Sequence, residues 1–183
     1  MYNRHKKNHP LETVETKYMM SKGVDNNIIG RGHRYYFQLP EKQPLDPPRK
    51  KLIVDPYILG TWLGDGRRTT PTICAHPKDV ITLEECRKIY PEGHYSIHKT
   101  TGVLYYYFKG LMRDLRKYGL CHKNATKYIP DDYLTASLDQ RLELLAGLID
   151  TDGYLDKEHC RYVFTTADKT LRDTFKTLIS TFG

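Results

Sequence analysis

Two aspartates, Asp65 and Asp152, each close an apolar run that carries glycines, "YILGTWLGDGR" at 57–67 and "LLAGLIDTDGYLD" at 144–156. A single Asp-Gly after a helix is an ordinary stop and turn signal. Two copies in register at the aspartate and at both glycines, each followed by a strand-like stretch, point to chemistry instead. Gly60 and Gly147 hold the same motif position, and Ala146 and Gly64 add small side chains, so two such helices can approach backbone to backbone. Their C-terminal ends then come together, where the helix dipoles are negative and two carboxylates repel. A cation relieves that repulsion. Hard oxygen donors with no nearby thiolate or imidazole suit Mg²⁺, which keeps several waters and accepts phosphate oxygens. Gly66 and Gly153 are expected to supply a left-handed turn that ends each helix.

The elements that would position these acids follow from local pattern. Asp55 and Pro56 form a cap and N1 proline for the helix ending near Asp65. "PTICAHP" reads as a strand, "PKDVITLEECRKIY" as an amphipathic helix, "HYSIHKTTGVLYYYF" as two strands about a Thr-Gly turn, and "FKGLMRDLRKYGL" as a helix. "KYIPDDYLTAS" links this α+β unit to the helix carrying the second motif, expected over Leu138 to Asp150 with Leu138, Leu142, Leu145 and Ile149 on its apolar stripe. "RYVFTT" and "ADKTLRDTFKTLISTF" then restart the strand and helix order. Ahead of all this lies "LPEKQPLDPPRKK" at 39–51, whose Pro40, Pro44, Pro47 and Pro48 remove amide donors and mark a linker. Before it, "LETVETKYMM" and "HRYYFQLP" alternate as strands about the turn-rich "SKGVDNNIIGRG". The domains expected are therefore a β-rich segment at 1–40, a linker at 41–51, a first repeat at 52–134 and a second at 135–183.

Composition narrows the partner. With 29 Lys and Arg against 22 Asp and Glu and a pI near 9.1, the chain of 183 residues favours a polyanion over an acidic or neutral partner. Cys74, Cys86, Cys121 and Cys160 are far apart and form no C-x-x-C pair, so they read as reduced thiols of an intracellular protein. No apolar run approaches the roughly 18 residues of a membrane span, and "MYNRHKKNHP" lacks the apolar core of a secretory signal.

The strands offer a reading of their own. Arg68, Thr70, Thr72, Cys74 and His76 alternate with Ile73 and Ala75, and His94, Ser96 and His98 alternate with Tyr95 and Ile97. A sheet with one donor-rich face suits a DNA major groove, and a merely solvated face fits the same pattern. His94 and His98 lack the further ligands that zinc requires.

The motifs themselves carry a resemblance. "LAGLIDTDG" at 145–153 differs from the signature of the LAGLIDADG homing endonucleases only at Thr151, and "ILGTWLGDG" at 58–66 resembles its more divergent first copy. The similarity spans 52–183 and is greatest to intein-encoded members of the yeast vacuolar-ATPase intein type. It implies a fold of pseudo-symmetric α/β repeats, a saddle of sheets over double-stranded DNA, and site-specific hydrolysis of phosphodiester bonds. It implies catalytic acids at Asp65 and Asp152 and a metal site of Asp65, Asp152, Gly64 and Thr151 holding Mg²⁺ with Mn²⁺ as a substitute, while the strand pattern and the basic residues give the expected DNA contacts Arg67, Arg68, Thr70, Thr72, His76, His94, Ser96, His98 and Arg161. "ATKYIP" at 125–130 resembles the Lys-x-Ile-Pro segment that supplies a catalytic lysine, here Lys127. Its cation would stabilise charge on the scissile phosphate or position the attacking water.

The N-terminal piece resembles part of an intein splicing domain, with His9 in the place of its block histidine. Lys6 stands where that pattern has threonine, and Met1 replaces the nucleophilic first residue, so this chain is not expected to splice. The second repeat is expected to be cut short after one strand and one helix, which would make the chain a fragment that self-associates or is completed by further sequence. Localisation follows the substrate: intracellular, and nuclear in a eukaryote. No membrane and no small-molecule substrate is expected. Two other functions share the fold, an inactive DNA-binding protein and an RNA-binding maturase.

Overall fold

The computed structural model describes residues 12–23, 25–28, 32–35, 37, 43–77 and 80–183. The chain divides into two compact units, Met1–Lys42 and Gln43–Gly183. Lys6 and His9 lie outside the described residues.

In the first unit, α1 (Thr16–Lys22) replaces the strand expected over "LETVETKYMM". Unbranched Met and Lys side chains favour helix there, which outweighs a short alternation, and Gly23 at φ 79° ends it. Strands β1 (Asp25–Ile28) and β2 (Gly32–Tyr35) pair antiparallel, from Asp25↔Tyr35 to Ile28↔Gly32. The aromatic Tyr18 meets Phe37 edge to face at 6.2 Å.

The second unit is a mixed α+β body with small antiparallel sheets. It opens with α2 (Pro56–Asp65), where the Asp55 carboxylate accepts from the amides of Tyr57 and Ile58 at 3.0 and 3.3 Å. Then come β3 (Thr72–Ala75), α3 (Val80–Ile89), β4 (Gly93–Ile97), β5 (Leu104–Phe108) and α4 (Leu111–Lys117). The short α5 (Asp131–Leu134) leads to α6 (Leu138–Asp152), which Ser137 and Gln140 start with a reciprocal capping box. Last are β6 (Gly153–Asp156), β7 (Arg161–Phe164) and α7 (Lys169–Ser180). One sheet runs β3-β5-β4 and the other is the hairpin β6-β7. The hairpin corrects the expectation of a single strand after the second motif, because the four residues Gly153–Asp156 are too few to show alternation.

Helices α2 and α6 cross at the centre of the core. A Cβ on Gly60 would stand 2.3 Å from the Leu144 carbonyl oxygen, and one on Gly147 would stand 2.4 Å from that of Tyr57, so the backbones touch. Around the crossing Ile58, Leu59, Trp62, Leu63, Leu144 and Leu148 are fully buried. The buried line of α6 runs through Arg141, Leu144, Gly147 and Leu148. It does not follow the expected leucine stripe: Leu142 is 46 % exposed, and Ala146 faces out as well. The glycine sets the rotation of the helix, since only that line lets the backbones meet.

Gly66 and Gly153 are extended, at φ −73° and −108°, rather than left-handed. Their requirement for glycine is space. A Cβ would meet the Trp62 carbonyl oxygen at 2.2 Å at Gly66, and backbone atoms of Ile149 at 2.7 Å at Gly153. Gly66 bridges antiparallel to Ile73, and Gly153 pairs with Phe164, so each glycine passes the chain from helix into strand pairing. Among the described residues, no helix is long and apolar enough to cross a membrane, and all four cysteines are free thiols.

Candidate active site and sheet face

Because α2 and α6 meet at their glycines, their C-terminal turns lie side by side. The Cβ direction of Gly64 points to within 3.6 Å of the Asp152 carboxyl carbon, which places Asp152 against the turn that ends in Asp65. Lys127 reaches the same place from the segment between α4 and α5. Its ammonium donates to the Gly64 carbonyl at 2.7 Å and lies 5.4 Å from the centre of the Trp62 ring. Burial pushes its pKa down to about 8, against the pull of Asp152 and Asp65, which favour the charged form. Asp152 titrates above the usual carboxylate range because it is desolvated, with Lys127 opposing the shift. Two helix-end acids and one lysine from three distant parts of the sequence therefore share one site.

Asp65 also opens onto a cavity lined with Cys74, His76, Asp150, Thr151 and Gly153. Burial raises the Cys74 thiol and the Asp65 charge raises it further, with Arg67 and Lys127 opposing the shift. Asp150 accepts from the Tyr57 hydroxyl at 2.9 Å, a tie between α6 and α2. Its counterpart in the first motif is the buried Leu63, so this tie is not duplicated.

The donor set fits a hard divalent cation. Asp65 and Asp152 supply two carboxylates at helix C-termini, where the dipoles disfavour their charge and, at Asp152, desolvation does so too, and open solvent beside Asp65 leaves room for water or phosphate oxygens. Gly64 and Thr151 have other engagements: the Gly64 carbonyl accepts from Lys127, and the Thr151 hydroxyl donates back to Gly147 and Leu148 at 2.9 and 3.1 Å. Among the described residues, no group of three or more His, Cys, Asp or Glu side chains is placed to hold a metal ion by itself.

Asp168 was not visible as a site residue in the sequence. One of its carboxylate oxygens caps α7 through the amides of Thr170 and Leu171, while the other accepts from the Lys127 amide at 3.1 Å and from Arg68 at 3.3 Å. It reads locally as a helix cap, and its second partner lies 41 residues away.

The expected polar sheet face forms, with additions. Thr72, Tyr107 and His94 align across β3, β5 and β4, and Cys74, Tyr105 and Ser96 align one pleat further on. These residues and His98 line one open groove together with Arg67. His94 stacks on Tyr107 at 5.0 Å, and the Arg67 guanidinium lies 5.9 Å from the Tyr105 ring centre. Thr72, 7 % exposed, forms part of the groove floor. The Thr70 carbonyl accepts from the Trp62 indole at 3.2 Å. His76 belongs to the Asp65 cavity, and Arg161 sits on β7, paired with Asp156 at 3.0 Å. Tyr105 and Tyr107 were missed because "LYYYF" reads as a continuous aromatic run. Only the alternation with buried Tyr106 and Phe108 shows which two face out.

Residues 139–183, which comprise most of α6 and everything after it, match the family described as LAGLIDADG-like domain. This supports the homing-endonuclease family for that segment. Over 152 residues, 83 % of the chain, the sequence is 32 % identical to a protein named replicative DNA helicase DnaB from Mycobacterium intracellulare. The chain spans only 23 % of that relative's length.

Proposed function

We propose that the chain is a site-specific DNA endonuclease of the homing type, which hydrolyses phosphodiester bonds in double-stranded DNA with the help of a divalent cation. The observation that carries this reading is the meeting of Asp65, Asp152 and Lys127 where α2 and α6 end, with Asp152 inside the segment 139–183 that matches a LAGLIDADG-like domain. Asp65 and Asp152 would hold Mg²⁺ or Mn²⁺, which on binding supplies Lewis-acid stabilisation of phosphate oxygens and acidifies bound water. Gly64 holds the Lys127 ammonium beside the carboxylates, and Trp62 shields one side of it. With a pKa of about 8 the lysine is mostly protonated at pH 7, so it presents positive charge where a scissile phosphate becomes more negative. Its hydrogen bond to Gly64 fixes that charge before substrate arrives, as electrostatic stabilisation of a transition state requires.

The groove over β3, β5 and β4 would lie against the duplex, with His94, Ser96, His98, Tyr105 and Tyr107 offering groups to base edges and Arg67 and Arg68 to phosphates. A match covering most of this chain but less than a quarter of a helicase fits an element carried inside a longer host protein, as the intein-encoded reading requires. Such an enzyme would act inside the cell, wherever the DNA is. The test is incubation with a plasmid library of candidate insertion sites, with and without Mg²⁺. Cleavage that requires the metal and is lost in Asp65→Asn and Asp152→Asn, with DNA binding kept, supports the proposal. Equal cleavage by either Asn variant sinks it.

A further inference from the structure

Lys127 belongs to the chain between α4 and α5, yet its backbone is fastened to α7, an element of the second motif's half. The Asp168 carboxylate accepts the Lys127 amide at 3.1 Å, and two residues on, the Ile129 amide donates to the Thr174 hydroxyl at 3.1 Å. Both ties run to the first two turns of α7. Between them they hold the lysine's own amide and the backbone two residues on, while at the far end its ammonium is held by Gly64. Asp168 is largely covered, with its side chain 12 % exposed, and its two oxygens divide the work. One caps the helix. The other serves the Lys127 amide and, at 3.3 Å, Arg68 on the turn that follows α2. Three segments far apart in sequence therefore converge on one carboxylate.

We propose that Asp168, assisted by Thr174, is a positioning residue for Lys127: it clamps the lysine segment of one motif's half onto α7 of the other, so that the ammonium stands at the carboxylate pair. The proposal rests on the nuclease reading for what the lysine does once placed. A conventional helix cap needs one oxygen, and aspartate and asparagine serve nearly equally at that position. The clamp needs both oxygens. Asp168→Asn keeps one acceptor; with that oxygen turned to the α7 amides as a cap, its NH2 group faces the Lys127 amide and Arg68 and cannot accept from either. The substitution thus separates capping from clamping.

The test compares the unaltered chain, Asp168→Asn and Thr174→Val in two measurements on each folded protein. The first is the rate at which an amine-reactive label modifies Lys127, read by peptide mass spectrometry with exposed Lys109 as the internal control. The second is single-turnover cleavage and binding of a site recovered from the plasmid library. A clamp predicts Lys127 labelling several-fold faster in both variants with Lys109 unchanged, and cleavage slowed at least tenfold with DNA affinity intact. Unchanged labelling overturns the clamp whatever the cleavage does, and faster labelling with cleavage unaltered overturns its part in positioning for catalysis. Faster labelling in a protein whose unaltered form cuts no DNA upholds the clamp and counts against the nuclease reading instead. Should Asp168→Asn fail to fold, Thr174→Val, which keeps the side-chain shape, decides alone.

Discussion

Gly60 and Gly147 lie opposite each other with their backbones in contact, each Cα 3.1 Å from where the other would carry a Cβ. The separation of Asp65 and Asp152 depends on this crossing, five residues upstream in both helices. A methyl group at either glycine meets backbone atoms of the partner helix, which cannot swing aside as a flexible side chain would. Ala substitution gains about 1 kcal/mol of helix propensity, but overpacking against backbone costs more. Gly60→Ala and Gly147→Ala are each expected to destabilise the fold by about 2–3 kcal/mol net of that gain. They should also slow cleavage by moving the carboxylates apart. Chemical denaturation and cleavage assays check both effects, and an unchanged unfolding midpoint would mean that the helices do not pack this closely.

The two motif helices were legible because their signals are local and repeated: a cap, a proline, small residues and a terminal acid. Lys127 was legible only through its resemblance, since nothing nearby in sequence reveals that it reaches Gly64, 63 residues back. Asp168 and the outward pair Tyr105 and Tyr107 were hidden for a related reason. Their roles depend on the strand register and on partners across the fold, which single-segment patterns do not encode. Local pattern also misled at Gly66 and Gly153, where glycine after a helix suggested a left-handed turn and the structure demands clearance instead. The stripe of α6 failed in the same way, since apolar residues were counted and a backbone contact decided the face.

DNA affinity should fall steeply with salt, because a basic chain that displaces counterions from phosphates loses that entropy as salt rises. Arg67 stands at the groove beside Tyr105 and is a phosphate contact in this reading. Arg67→Ala should lower the slope of log affinity against log salt by about one. Tyr107→Phe removes only a hydroxyl from the same groove and should cost about 1 kcal/mol of affinity without changing the slope. Fluorescence anisotropy over a salt series separates the two, and a flat response in the unaltered chain would exclude a polyanionic partner.

Arg141 is a buried cation with 1 % exposure, held by carbonyl oxygens of Ala136, Thr181 and Leu45 and lying 5.3 Å from the Phe182 ring centre. Its guanidinium joins the start of α6, the end of α7 and the entry segment at Leu45, and at Thr181 it also meets the negative end of a helix dipole. Arg141→Ala leaves these carbonyls without their donor and should destabilise by about 3 kcal/mol or more. Arg141→Lys should recover less than half, since one ammonium cannot reproduce the planar fork. Thermal unfolding gives the magnitudes, and proteolysis near Leu45 should speed up in both variants. Equal stability of the Lys variant would show that charge alone, rather than geometry, holds the three segments.

Lys127 should be costly to the fold and necessary for the chemistry. Its pKa is pushed from 10.5 down to about 8 by burial, so the folded protein holds fewer protons than the unfolded chain between those two values. Stability from this group therefore rises with pH across that window. Below pH 8 the lysine is charged in both states, and its desolvation is borne in full. Lys127→Met fills the same space against Trp62 without the charge, and should raise stability at pH 7 by about 1–3 kcal/mol while abolishing cleavage. That advantage should shrink as the unaltered protein loses the proton above pH 8, and disappear as pH approaches 10.5. Unfolding free energies of the two proteins measured from pH 6 to pH 10 give the comparison. Parallel curves over the whole range would show a solvated lysine, and would remove the preorganised charge on which its catalytic role depends.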